Sequence, residues 1–193
     1  MGRIRTDPSG PGVYARIYPD FKRCTGCRIC EIVCSMHKFG TINPEYSRIR
    51  VIPFKGVDIP VLCRICADPK PCIEACPASD PGDRTNSILY VDEESGAVIV
   101  DADKCVELEC DRECSTACPA KAVFFHPQEK YPLICDLCGG DPECVKECPE
   151  GCLEFIAGPA DYLPPENYAY PPEKIAEFLM KSIFYYKGRE ERP

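Results

Sequence analysis

The sequence predicts an α+β, loop-rich fold held together by bound metal, and three observations predict it. The 17 cysteines gather in four tight runs with one residue left over. The chain carries 21 prolines, which leaves little room for long helices. Strand-like alternation occurs only in short stretches between the runs. At 193 residues the chain makes one large domain or two small ones. A core so divided is thin, so ligated metal must supply part of the folding energy.

The spacing of the cysteines names the metal. Cys24, Cys27, Cys30 and Cys34 stand as C-x2-C-x2-C-x3-C, the ligand run of a bacterial-type [4Fe–4S] ferredoxin. Thiolates so spaced let a short loop curl round one cube and offer it three sulfurs, while the fourth cysteine serves a different cube. Cys63-x2-Cys66-x5-Cys72-x3-Cys76 is a second run and Cys105-x4-Cys110-x3-Cys114-x3-Cys118 a third. Cys135-x2-Cys138-x5-Cys144-x3-Cys148 is the fourth, and the last three runs each close in Cys-Pro. Disulfides are the poorer account, because disulfide-dense chains are small secreted domains and residues 1–12 carry no apolar signal segment. Zinc asks for separated pairs of ligands and is a rival chiefly at the third run.

Along the chain, residues 1–20 read as a loose arm broken at Gly10-Pro11-Gly12. Within it, Val13, Ala15 and Ile17 alternate with Tyr14, Arg16 and Tyr18 as a first strand. Cys34 is expected to open a short helix through Phe39, capped by Gly40. Residues 46–54 alternate as a strand. After the second run, residues 87–91 and 97–100 predict a hairpin turned at 92–96. Residues 122–126 and 153–156 predict the strands that close the third and fourth runs, and residues 158–172, rich in Pro and Tyr, read as irregular. In residues 173–186, Ile175, Phe178, Leu179 and Ile183 recur at helical spacing, as a helix packed on the body or an arm for a partner subunit.

Runs two and three, joined by the hairpin, read as one complete two-cluster unit, and runs one and four flank it. The predicted architecture is two tandem bacterial-type 2[4Fe–4S] ferredoxin folds, one inserted in the other. The outer half is 13–56 and 127–157, the inner half 57–126, and 158–193 is an extension with a short helix. With the fourth cysteine of each run exchanged, the first site takes Cys24, Cys27, Cys30 and Cys148, and the second Cys135, Cys138, Cys144 and Cys34. The third takes Cys63, Cys66, Cys72 and Cys118; the fourth would take Cys105, Cys110, Cys114 and Cys76. The third run's wider spacing does not suit the usual loop, so three [4Fe–4S] cubes are the expected count, and the fourth site is expected either to hold no cube or to hold it on a distorted loop.

Run one together with Gly40, Pro44 and Ser47-Arg48-Ile49-Arg50-Val51, and run four with its Cys135-Asp136-Leu137-Cys138-Gly139-Gly140, resemble the ferredoxin-like electron-transfer subunits of molybdenum and tungsten enzymes. Within that group the chain is most similar to small subunits accompanying tungsten enzymes of the aldehyde oxidoreductase family, the class II benzoyl-CoA reductase small subunit among them. The resemblance spans about residues 13–157. It implies a large catalytic subunit carrying a tungstopterin, or a molybdopterin, with this chain as the wire to it. Ser35 departs from the proline that follows the fourth cysteine in the other runs.

Other residues draw blander readings. Cys152 falls where a small apolar residue is usual and reads as core. His37 and His126 lack the neighbours of a catalytic triad and read as structural. Lys22, Arg23 and Arg28 crowd the first run as surface charge. A net charge of −8 argues against nucleic acid, and no apolar stretch approaches a membrane span. Free thiols of this number suit a reducing cytoplasm. The expected function is a non-catalytic electron-transfer subunit; a free-standing polyferredoxin serving several enzymes is the alternative, and an iron–sulfur sensor is the least favoured.

Overall fold

A computed structural model describes residues 3–6, 13–66, 70–80, 83, 85–159 and 170–184. Strands are short because the cysteine runs claim the backbone between them. Strand β1 (Arg3–Thr6), β2 (Val13–Pro19) and β9 (Leu153–Pro159) form one sheet in the order β1-β9-β2. The other strands pair as hairpins: β3 (Arg50–Phe54) with β4 (Val57–Val61), β5 (Leu89–Val91) with β6 (Val98–Val100), and β7 (Phe124–Phe125) with β8 (Pro132–Leu133).

The helices are short in the same way. They are α1 (Ile29–Phe39), α2 (Pro71–Glu74), α3 (Ala102–Val106), α4 (Glu113–Thr116), α5 (Glu143–Lys146) and α6 (Pro172–Phe184). Helix α1 begins five residues before the expected start at Cys34, so Cys30 and Cys34 both lie on it. Gly40 ends it in the left-handed conformation, its N–H donating to the Met36 carbonyl at 2.9 Å. Residues 46–54 divide into a 3-10 turn at Pro44–Tyr46 and β3, because Pro44 starts a turn that Asn43 caps.

Antiparallel β2 and β9 bring the chain before run one against the chain after run four, from Val13 opposite Pro159 to Pro19 opposite Leu153. The residues 3–6 expected in a loose arm instead add β1 in parallel to the far side of β9. Helix α1 packs on α5, and α2 on α4. The apolar core is split into three clusters rather than one. Two of them are interleaved with the cysteines of all four runs.

Helix α6 settles on the body. Ile175, Ala176 and Leu179 are buried against Ile59 and Val61 of β4 and against Ala120 and Ala122, and Lys121 pairs with Glu173 at 2.9 Å. Phe178, one of the four apolar residues of the expected face, points outward instead and is 45% exposed. Most of the irregular segment expected at 158–172 lies outside the described residues. Leu179→Ala is expected to cost roughly 2–5 kcal/mol of stability by leaving a cavity under α6. The loss should appear as a lower denaturation midpoint and faster amide exchange in α6, with iron content unchanged.

Candidate metal-cluster sites

Each run folds the same way at its second half. The third cysteine is the second residue of a helix: Cys30 in α1, Cys72 in α2, Cys114 in α4 and Cys144 in α5. The fourth cysteine follows four residues later. In run one both cysteines lie on α1, whereas in the other runs the helix ends two residues before the fourth cysteine.

The first halves differ. In runs one, two and four the residue just before the second cysteine is left-handed: Gly26 at φ 70°, Ile65 at 47° and Leu137 at 57°. Its backbone N–H hydrogen-bonds the first cysteine of the run, Cys24, Cys63 and Cys135 respectively; burial nonetheless raises Cys63 and Cys135, whereas Cys24 is lowered to about 7, first by the neighbouring Cys152 thiol and then by this bond. This reversal is what curls the loop. A β-branched residue such as Ile65 rarely adopts positive φ; here it is held by complete burial, as is Leu137. In the third run no residue from Cys105 through Cys110 is left-handed. The x4 spacing spans the gap with α3 and an open loop instead.

The sixteen cysteines of the runs gather round four cavities, each lined by three from one run and a fourth from another. Cys24, Cys27, Cys30 and Cys148 line the first, of about 20 Å³. Cys135, Cys138, Cys144 and Cys34 line the second, of about 10 Å³. Cys63, Cys66, Cys72 and Cys118 line the third, of about 20 Å³. Cys105, Cys110, Cys114 and Cys76 line the fourth, which is far wider at about 360 Å³. Three cavities are thus shut tightly by their own loops, and the irregular run leaves the fourth open.

Neighbouring cavities share elements. Cys30 and Cys34 sit one turn apart on α1 yet face the first and second cavities. Cys72 and Cys76 likewise join the third and fourth. Cys135 of the second cavity, raised chiefly by burial, lies close enough to Cys63 of the third for that thiol to add to its cost of ionisation. The cavities therefore follow in the order first, second, third, fourth. Of the seventeen cysteines only Cys27, in the first cavity, and Cys110, in the fourth, are exposed.

The electrostatics ask for a cation. Burial, then like-charged neighbours, push Cys30 up to about 12; burial likewise holds Cys63 and Cys72 at about 12 and Cys114 at about 11. Cys135 and Cys144 are raised well above the usual thiol range for the same reason. Four thiolates could share such a cavity only around positive charge. Yet among the described residues no three His, Cys, Asp or Glu side chains converge on a single ion position. The thiols line the walls of a small cavity rather than meeting at a point, which fits a cube better than a lone zinc.

Hydrogen bonds complete the donor set. The Arg48 N–H donates to the Cys34 sulfur and the Ala122 N–H to the Cys118 sulfur, both at 3.3 Å. Asp136, beside Cys135, pairs with Lys38 at 2.8 Å and with Arg48, which ties α1 and the fourth run together. At the third cavity Arg64 and Lys70 are buried against the thiols, with Lys70 Nζ donating to the Cys66 carbonyl at 2.9 Å. His126 is stacked between Tyr46 and Tyr131, with ring centroids 4.8 and 5.0 Å away, and His37 is exposed. Sequence reasoning missed the left-handed Ile65 and Leu137, the two buried cations and the position of Cys152. Only the dipeptides Arg64-Ile65 and Asp136-Leu137, set where run one has Thr25-Gly26, carried a signal for the first of these.

A model of the 4Fe–4S dicluster domain matches residues 55–157. The chain is 38% identical over 177 residues to the polyferredoxin-like subunit of an aliphatic sulfonate oxidoreductase from Pyrococcus furiosus, covering 89% of this chain and 93% of that one. It is 30% identical over 199 residues to a subunit of the anaerobic dimethyl sulfoxide reductase of Escherichia coli, covering 90% of this chain and 89% of that one. Among solved structures it is similar to the active-site complex BamBC of benzoyl coenzyme A reductase as isolated, at 24% identity and a TM-score of 0.44, over 89% of this chain and 92% of that one.

Two outcomes are expected from substitutions in the loops. A Cβ at Gly26 would stand 2.5 Å from the Asp58 carboxyl carbon at a left-handed φ, so Gly26→Ala should cut iron retention at the first site. Gly40→Ala meets nothing within 4 Å and should cost only the strain of a left-handed alanine, about 1–2 kcal/mol, with iron retained. Cys148→Ser should perturb the cluster signal that Cys27→Ser perturbs and leave the one that Cys138→Ser perturbs, as followed by electron paramagnetic resonance of anaerobically reduced protein.

Proposed function

The chain belongs to the 4Fe–4S dicluster domain family, and from that premise we propose that it is the electron-transfer subunit of an oxidoreductase, itself without a catalytic site. The observation that carries this reading is the row of four cysteine-lined cavities with an exposed cysteine at each end, Cys27 and Cys110. A row of redox sites most exposed at its two ends is what a relay needs.

In this reading Cys24, Cys27, Cys30 and Cys148 hold the first [4Fe–4S] cube. Cys135, Cys138, Cys144 and Cys34 hold the second, and Cys63, Cys66, Cys72 and Cys118 the third. Cys105, Cys110, Cys114 and Cys76 hold a fourth on a distorted, more open loop, as the width of that cavity suggests. Bound cubes supply one-electron chemistry, tuned by charge, hydrogen bonds and solvent exposure. The protein's part is to hold the thiolates, exclude water at the inner sites and keep the sites adjacent. The pairings of β2 with β9, α1 with α5 and α2 with α4 support two nested ferredoxin-like halves, residues 13–56 with 127–157 and residues 57–126.

The partner is a larger catalytic subunit. Two relatives are themselves subunits of an oxidoreductase, which supports a dedicated complex over a free polyferredoxin. The resemblance noted in the sequence points to a tungstopterin in that partner. Among the described residues no helix is long and apolar enough to cross a membrane. Thiolate ligands in this number call for a reducing compartment.

Anaerobic purification from the native source tests the reading. A larger chain carrying tungsten or molybdenum should co-purify, with about 16 iron atoms in this chain, four to each cube. Isolation as a single free chain would favour the polyferredoxin, and stoichiometric zinc in place of iron would end the proposal.

A further inference from the structure

The seventeenth cysteine is not idle core. Cys152 is 5% exposed and lines the first cavity beside Cys24, Cys27, Cys30 and Cys148, so that cavity holds five thiols where the other three hold four. Its sulfur lies 3.5 Å from the Cys148 sulfur, on the wall it shares with Cys24. Its position is fixed by its own backbone: the Asp20 N–H donates to the Cys152 carbonyl at 2.6 Å, and β9 begins at the next residue.

Four of these thiols suffice for one cube. A fifth thiolate would add one more negative charge to a buried site already crowded with them. Cys152 is the thiol left outside that set of four, and an unligated cysteine carries its S–H. Once Cys148 is deprotonated as a ligand it can only accept, so the donor in that contact is Cys152. Repeat geometry supports the role. Four residues after Cys118, Ala122 offers its backbone N–H to that cysteine's sulfur. Four residues after Cys148, the chain presents the Cys152 thiol.

Resting on the electron-transfer reading, we propose that Cys152 is a non-ligating thiol of the first site whose S–H donates to the sulfur of Cys148 and raises the reduction potential of the cube that Cys148 helps to hold. A proton shared with ligand sulfur draws electron density from the cluster and favours its reduced state. The first site, which ends the row at exposed Cys27, is thereby set apart in potential from its neighbours.

The test is redox titration of the anaerobically purified full chain, followed by electron paramagnetic resonance, on wild type, Cys152→Ala and Cys152→Ser. The signal perturbed by Cys27→Ser marks the first cube. Cys152→Ala is expected to keep its iron and to shift that signal alone to lower potential, while Cys152→Ser, which retains a donor, shifts it less. Electron–nuclear double resonance should show an exchangeable proton coupled to the reduced first cube that disappears in Cys152→Ala. Unchanged potentials in Cys152→Ala would overturn the proposal. Loss of the first cube in both variants would also overturn it, by making Cys152 a ligand. A wild-type chain that carries no cubes would instead refute the electron-transfer reading from which the proposal starts.

Discussion

Four thiolates cannot share a small dry cavity without positive charge among them, and most of this structure answers to that constraint. Burial pushes Cys30, Cys63 and Cys72 to about 12, so without metal the cavities hold thiols, whereas ligation requires thiolates. Ionisation of the thiols and arrival of the metal are therefore coupled, and metal binding contributes directly to folding. This is why three separate apolar clusters can serve where a chain of this length would ordinarily build one. Left-handed Ile65 and Leu137 are tolerated because full burial holds a backbone that neither residue would choose in isolation.

The short helix that opens at the third cysteine of each run, with the residues just after it, connects the sites. A pair of cysteines four residues apart presents one sulfur to each of two cavities, so this short stretch sets the separation between neighbours. Helix α1 does this for the first and second sites with Cys30 and Cys34, and α5 returns the exchange with Cys144 at the second site and, just beyond the helix, Cys148 at the first. The ion pairs of Asp136 with Lys38 and Arg48 hold these two regions together from the outside. Between the second and third sites the link is packing around Cys135 and Cys63 rather than a shared helix. The environments also differ: the third site has buried Arg64 and Lys70 beside it, and the fourth is wide and reaches solvent at Cys110. Sites with one ligand chemistry are thereby given different surroundings.

The amino-acid sequence alone determined the chemistry: the number of cysteines, their grouping into runs and the constant x3 step are local properties, and a thiolate's affinity for iron needs no tertiary information. The irregular third run was legible for the same reason, since x4 in place of x2 changes the length of chain between two ligands. Gly26 advertised its turn, whereas Ile65 and Leu137 did not, because their propensities argue against positive φ and only packing enforces it. Strand β4 escaped notice because residues 57–61 place no clear alternation between buried and open faces. Tertiary structure decided which cysteines share a cavity, that α6 buries Ile175 and Leu179 while Phe178 faces out, and that Cys152 stands among the thiols of the first site. Those outcomes depend on residues far apart in the chain, and the free energy of a contact between distant segments is not contained in either segment.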